Sequence, residues 1–149
     1  MSYLEDAKDE LKRADHLVFI SLKYTRTCDI IRNTIERIIN AYEFIILASL
    51  ESAKNSNRID SIPKSKLERV ELIQKLKRNI KEDIKTYLLL IDIFNSKFER
   101  REEYRKNVTL IAKFKKDDIE INVPSLMDHF EKIKEFYTTM EAWIKWLDL

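Results

Sequence analysis

The chain has 149 residues, 44% of them apolar and 36% charged, and its 28 basic and 26 acidic side chains leave a formal net charge of only +2. That length and apolar content suit one domain with a substantial core, while the near-balanced charge excludes global basicity as a reason to bind nucleic acid and leaves local patches to be judged separately. Glycine is absent altogether, against about 7% in an average protein, so the easy left-handed turns are missing and long helices with few loops are expected.

Ser2 and Glu5 form a capping-box pattern, after which Leu4, Ala7, Leu11, Ala14 and Val18 recur at helical spacing and predict a first helix to about Tyr24. Its outward face carries Asp9, Lys12, Arg13, His16 and Lys23. Thr27 is the expected N-cap of a second helix, with Asp29 well placed in the first turn. Here Cys28, Ile31, Ile35, Ile38, Tyr42, Ile45 and Ser49 make one seam and Ile39, Ile46 and Ala53 a second. A helix apolar almost all round in its second half belongs at the centre of a bundle or in a subunit interface.

Residues 55–64 are polar, contain Pro63 and read as a linker. Ser65 with Glu68 opens a third helix whose apolar side runs through Val70, Ile73, Leu76, Ile80, Ile84, Tyr87, Ile91, Phe94 and Phe98. It either continues to about Arg105 or breaks near Asn95 and Ser96. At Val108 the period changes to two: Val108, Leu110, Ala112 and Phe114 alternate with Thr109, Ile111 and Lys113, and Ile119, Ile121 and Val123 with Glu120 and Asn122. This predicts a β-hairpin turning at residues 115–118, with a continued third helix as the alternative. Pro124 is expected to stop the strand and Ser125, with Asp128, to start the last helix, whose seam is Leu126, Phe130, Ile133, Tyr137, Met140, Ile144 and Leu147. The expected fold is therefore all-α: an up-and-down bundle of four main helices, five if the third one breaks, in a single domain over residues 1–149, with a small β-hairpin at about 108–123 inserted before the last helix.

Several classes of chemistry find no support in these residues. A di-iron carboxylate site needs Glu three residues before a core His, but Arg13 precedes His16 and Leu126 precedes His129 at that distance, so no metal or other cofactor is expected. The lone Cys28 permits no intrachain disulfide and suits a small core residue in a reducing cytosol. The N-terminus is acidic and unlike a signal peptide, and the most apolar run, residues 41–50, contains Glu43 and is about half the length that spans a bilayer. A cytoplasmic protein without membrane contact is expected.

Three polar groupings remain. Arg13 and His16 stand one turn apart, close enough to touch one phosphate, or simply form part of a solvated strip. Asp29, Asn33, Glu36, Asn40 and Glu43 stripe the second helix with Arg32 and Arg37 beside them. This is either a solvated face or a polar cleft toward Tyr24, Thr25, Arg26 and Thr27, where hydroxyls, a guanidinium and helix-start amides hold an anion. Residues 97–116 carry eight basic and three acidic side chains interleaved with Phe98, Tyr104 and Phe114. Either Arg100, Arg101 and Arg105 contact a nucleic-acid backbone while aromatic rings stack bases, or the charges pair along a helix. Phe136, Trp143 and Trp146 pack in the core or form a dimer interface.

The order of elements and the segments 11–44 and 104–136 resemble the HEPN superfamily, and within it small archaeal proteins. The resemblance implies an up-and-down helical bundle, usually a homodimer, with a role in RNA or nucleotide binding. It also implies a toxin–antitoxin or defence context in which some members partner minimal nucleotidyltransferases. Metal-independent RNases of the family carry Arg, four to six residues, then His. Here two residues separate Arg13 from His16, and the nearest arginine before His129 is Arg105. The missing signature implies binding without that catalysis, and the polar groupings above make Arg13, His16, Tyr24, Thr25, Arg26, Arg32, Asn33 and Arg37 the expected binding residues. A homodimeric, antitoxin-like interaction module is the alternative from another class, and RNA cleavage by Arg13 and His16 a third.

Overall fold

A computed structural model describes residues 2–149. Helix accounts for 68% of the chain, in five helices, with a small three-stranded antiparallel sheet before the last. Helix α1 is continuous over Tyr3–His16, a π turn at Leu17–Ser21 and a last turn at Leu22–Tyr24. Helix α2 spans Cys28–Asn55, α3 Lys66–Leu76, α4 Lys81–Asn95 and α5 Val123–Leu147. Strands β1 (Lys97–Arg101), β2 (Thr109–Lys113) and β3 (Ile119–Asn122) pair in that order.

Helix α2 is central, and the other four helices all pack on it. This arises from its two apolar seams: Ile31, Ile35, Ile38, Tyr42, Ile45 and Leu50 are fully buried, and so are the small Ala41, Ser49 and Ala53 that let neighbours approach. Ser49 satisfies its hydroxyl on the Ile45 carbonyl at 2.8 Å, as a helical serine without water must. One continuous apolar cluster joins all five helices and the sheet.

The π turn in α1 has a reason in spacing. Ala14, Val18 and Leu22 are buried at successive intervals of four, and each such interval overshoots an α-helical turn by about 40°. The wider turn at Leu17–Ser21 absorbs that overshoot and keeps the three residues on α2. At the start of α1 the capping box is formed, with Ser2 and Glu5 bonding reciprocally.

Two expected elements differ. The third helix is two helices, interrupted at residues 77–80, where Asn79 takes a left-handed φ of 66°. Ile80 and Ile84 stay buried across the interruption, so the apolar period continues although the backbone does not. Of the two endings expected for this helical stretch, the break near Asn95 and Ser96 is present and the continuation to Arg105 is not: the helix ends at Asn95 and the chain passes through Ser96 into the edge strand β1. The last helix starts three residues early: Asn122 is its N-cap, exchanging bonds of 2.9 Å with Ser125, and Pro124 lies within the first turn, where its missing N–H costs nothing.

The hairpin formed by β2 and β3 falls where period two places it, with Leu110 opposite Ile121 and Ala112 opposite Ile119. Strand β1 extends it to a meander, Phe98 lying opposite Ala112. The loop from β1 to β2 contains two left-handed residues that are neither glycine nor asparagine, Glu102 (φ 57°) and Tyr104 (φ 67°). Such a residue costs about 1–2 kcal/mol, partly recovered as unfolded-state entropy relative to glycine. Because the Tyr104 ring is largely exposed, Tyr104→Gly is expected to raise stability by about 0.5–1 kcal/mol in urea unfolding. A loss of stability would mean that the ring contributes more than its conformation costs.

Candidate functional site

The most structured polar arrangement lies where α1 meets α2. Glu10 falls between Ala7 and Ala14 on the inward side of α1 and is only 6% exposed. A buried carboxylate needs partners, and two arginines provide them. Arg13, one turn along α1, donates from Nη1 to Glu10 Oε1 at 3.2 Å, and Arg37 of α2 donates from Nη1 to Oε2 at 3.3 Å. Each guanidinium thereby fixes one end and keeps further N–H donors free.

A shallow cleft of about 370 Å³ opens over this bridge, lined by Lys12, Arg13, His16, Leu17 and Arg37. Lys12 and His16 form no ion pair or side-chain hydrogen bond with any described residue. Three cations above one buried carboxylate leave the cleft positive, and the carboxylate holds two of them in register. Its wall is mostly carbon, from the stems of these side chains and Leu17, while the polar ends of the same residues, two guanidinium forks, an ammonium and an imidazole, suit a phosphate. Three of the residues singled out from the sequence, Arg13, His16 and Arg37, thus converge. Glu10 and Lys12 complete the group.

The anion seat expected at the start of α2 is already filled by the chain itself. Glu103 accepts from the Cys28 amide at 3.3 and 3.2 Å, Thr27 caps the Ile30 amide at 3.3 Å, and the Tyr104 amide donates to the Arg26 carbonyl at 2.6 Å. An internal carboxylate thus takes the place at the helix N-terminus that an external anion would need. Tyr24, Thr25 and Asn33 are exposed and not part of that contact. Arg32 is committed elsewhere: its guanidinium lies 3.9 Å from the Phe94 ring centre and donates to the Phe94 carbonyl at 3.0 Å, closing the end of α4. Arg26 keeps its side chain free of ion pairs and hydrogen bonds to the described residues.

Cys28 sits beneath this junction, its Sγ donating to the Thr109 carbonyl at 3.2 Å. Burial, with Glu103 nearby, pushes its thiol up to about 11, so it is a packed thiol and not a thiolate nucleophile.

The arginines of residues 97–116 are all engaged with carboxylates. Arg100 bridges Asp29 at 2.8 Å and Glu103 at 3.1 Å, and these two hydrogen bonds raise its pKa further. Arg101 pairs with Glu120, and Arg105 with Glu102 at 3.7 Å. The local excess of basic residues omits Asp29, Asp118 and Glu120, which lie outside that stretch of chain and fold back onto it.

Of the aromatic trio, Phe136 is core, Trp143 is half-buried, and Trp146 is 56% exposed with the Arg58 guanidinium 5.1 Å from its ring. His129 is half-buried and its Nδ1 finds no partner among the described residues; burial, then Lys132, lowers its pKa, so the ring is neutral at pH 7. Among the described residues no group of three or more His, Cys, Asp or Glu side chains is placed to hold a metal ion, and no helix is long and apolar enough to cross a membrane.

No family model, curated protein or solved structure matches this chain.

Proposed function

We propose that this chain is a HEPN-like, up-and-down helical-bundle protein that binds RNA or a nucleotide through its phosphates and does not cleave it. The observation that carries this reading is the Glu10 bridge, which holds Arg13 and Arg37 open toward Lys12 and His16. Surface arginines that serve only solubility need no buried carboxylate to aim them. The spacing of Arg13 and His16 departs from the RNase signature of that superfamily, which favours binding over catalysis. In this reading the protein is a cytoplasmic homodimer, in a toxin–antitoxin or defence setting with a minimal nucleotidyltransferase as partner.

The test spares Arg13 and Arg37, whose loss would expose Glu10, and uses Lys12→Glu with His16→Ala on the exposed side of α1. Titrated with labelled single-stranded RNA at low salt, this double variant is expected to bind at least about tenfold more weakly, the value of one lost charge-assisted contact. Unchanged affinity with an unchanged melting curve would remove the cleft from consideration.

A second reading, a homodimeric interaction module, is favoured by the exposed apolar side chains Phe19, Ile20 and Tyr24 on α1 and by Trp146 on α5. Sedimentation equilibrium with and without RNA at low and high salt separates the two: the first reading expects RNA to sediment with the protein at low salt and to be released at high salt, the second a dimer that persists at high salt and takes up no RNA at either.

A further inference from the structure

A second cleft, of about 340 Å³, lies between α1, the loop joining β1 to β2, and the first turn of α5. Its floor is apolar. Val18 and Leu22 present their buried side chains from the π-turn region, and Phe19 stands 42% exposed at the edge, its ring packed edge-on against Phe130 at 6.2 Å. Pro124 forms the opposite wall and, lacking an N–H, adds no donor there.

The rim is cationic. Lys23 and Arg26 come from the end of α1 and the connection after it, Lys106 from the β1–β2 loop, and none forms an ion pair or side-chain hydrogen bond with a described residue. Arg100 and Arg101 at the end of β1 and Arg105 on the loop that follows are all paired to carboxylates. The chain therefore neutralises the cations around the cleft and leaves those facing it unneutralised. A polar annex of about 350 Å³ shares Lys106 and Asn107 with the cleft and adds Glu102 and Thr109.

The rim is also preorganised. The left-handed Glu102 and Tyr104 cost about 1–2 kcal/mol each and persist because the Tyr104 amide is tied to the Arg26 carbonyl at 2.6 Å and Glu103 to the Cys28 amide. Those ties hold Arg26 and Lys106 in a fixed relation before any ligand arrives, which lowers the ordering cost of binding. A π turn on one side and a strained loop on the other are features that recur at binding sites.

An apolar floor with one free aromatic edge, three unpaired cations and a polar annex match the three parts of a nucleotide: base, phosphate and sugar. We infer that this cleft seats one nucleoside phosphate, its base over Phe19 and Pro124, its phosphate between Lys23, Arg26 and Lys106, and its ribose toward Asn107 and Glu102. The inference deepens the RNA- or nucleotide-binding reading and rests on it. The same chemistry comes from a free nucleotide or from one residue of an RNA strand.

The test is methyl NMR of the full chain titrated in turn with adenosine monophosphate, uridine monophosphate and a five-nucleotide RNA, with RNA affinity measured in parallel by fluorescence anisotropy. The methyls of Val18, Leu22 and Val123 are expected to shift and saturate while those of Leu72 on α3 stay in place. Arg26→Gln, which removes a partly buried side chain that has no ion pair or side-chain hydrogen bond with the described residues, is expected to weaken that saturation at least tenfold with the melting curve unchanged. Saturation by a mononucleotide assigns the free ligand, and saturation by RNA alone assigns a strand residue. If RNA binds by anisotropy while these methyls stay in place, or Arg26→Gln leaves the affinity unchanged, the second cleft is overturned and the RNA reading stands. If neither RNA nor mononucleotide binds, both fall.

Discussion

Tyr42→Ala is expected to destabilise the protein by about 3–5 kcal/mol, whereas Tyr42→Phe is expected to stabilise it by about 1 kcal/mol. The Tyr42 ring is fully buried on the central helix, between Tyr87 at 5.5 Å and Phe136 at 5.3 Å, and joins α2 to both α4 and α5. Truncation removes both aromatic contacts and leaves a cavity that rigid helices fill poorly. Against a total stability of about 5–15 kcal/mol, that loss is a fifth or more. The hydroxyl acts the other way, because it finds no hydrogen-bond partner among the described residues and burial has already driven its pKa far above that of a free phenol. Removing a buried, unsatisfied hydroxyl recovers a desolvation penalty and leaves the packing intact. Tyr87, by contrast, donates to Glu43 at 2.8 Å, so the same Tyr→Phe change there brings no such gain. Urea denaturation of the three variants measures all of this, and a destabilised Tyr42→Phe would show that the hydroxyl is satisfied in solution.

The second large effect concerns Glu10. Glu10→Ala is expected to cost about 2 kcal/mol, less than the 3–5 kcal/mol typical of a broken buried pair, because the partners Arg13 and Arg37 are 56% and 37% exposed and solvent screens them. The informative measurement is a double-mutant cycle with Arg37→Ala. Arg37 loses its reason to be fixed once Glu10 is gone, so the combined loss is expected to fall short of the sum by about 1 kcal/mol. Strict additivity would mean that the carboxylate and the guanidinium do not communicate, and the cleft would then lack the rigid base on which its phosphate-binding reading depends.

Helix positions were largely legible because helical apolar period and caps are local. Ser2, Thr27 and Ser65 all cap as their sequences predict, and the seam of the last helix is buried throughout. The interruption at residues 77–80 was concealed because Ile73, Leu76, Ile80 and Ile84 keep helical spacing across it; the one local signal was Asn79, the residue type that tolerates a left-handed φ. Strand β1 was hidden for a different reason. Its sequence Lys-Phe-Glu-Arg-Arg is what a charged edge strand looks like, but it is also good helix composition, and only pairing with β2 decides between them.

The candidate site was legible in part. Arg13 and His16 share a helix face, which spacing reveals, but the approach of Arg37 depends on how α1 crosses α2, which spacing does not reveal. Glu10 was detectable in principle as a charge on a seam of Ala7 and Ala14. The filling of the α2 N-terminus by Glu103 was not, since 75 residues separate it from Cys28. The basic stretch at residues 97–116 overstated its free charge because Asp29, 71 residues from Arg100, and Asp118 and Glu120, just past its end, join it only through the fold.

The most direct test of the account is a titration of the wild-type protein with labelled single-stranded RNA at about 50 mM and about 200 mM salt, with each sample also run on a denaturing gel. If three cations of the cleft neutralise phosphates, affinity should fall roughly twentyfold between the two conditions and the RNA should stay intact. Absence of binding at the lower salt, or an affinity indifferent to salt, would contradict phosphate recognition, and cleaved RNA would contradict binding without catalysis.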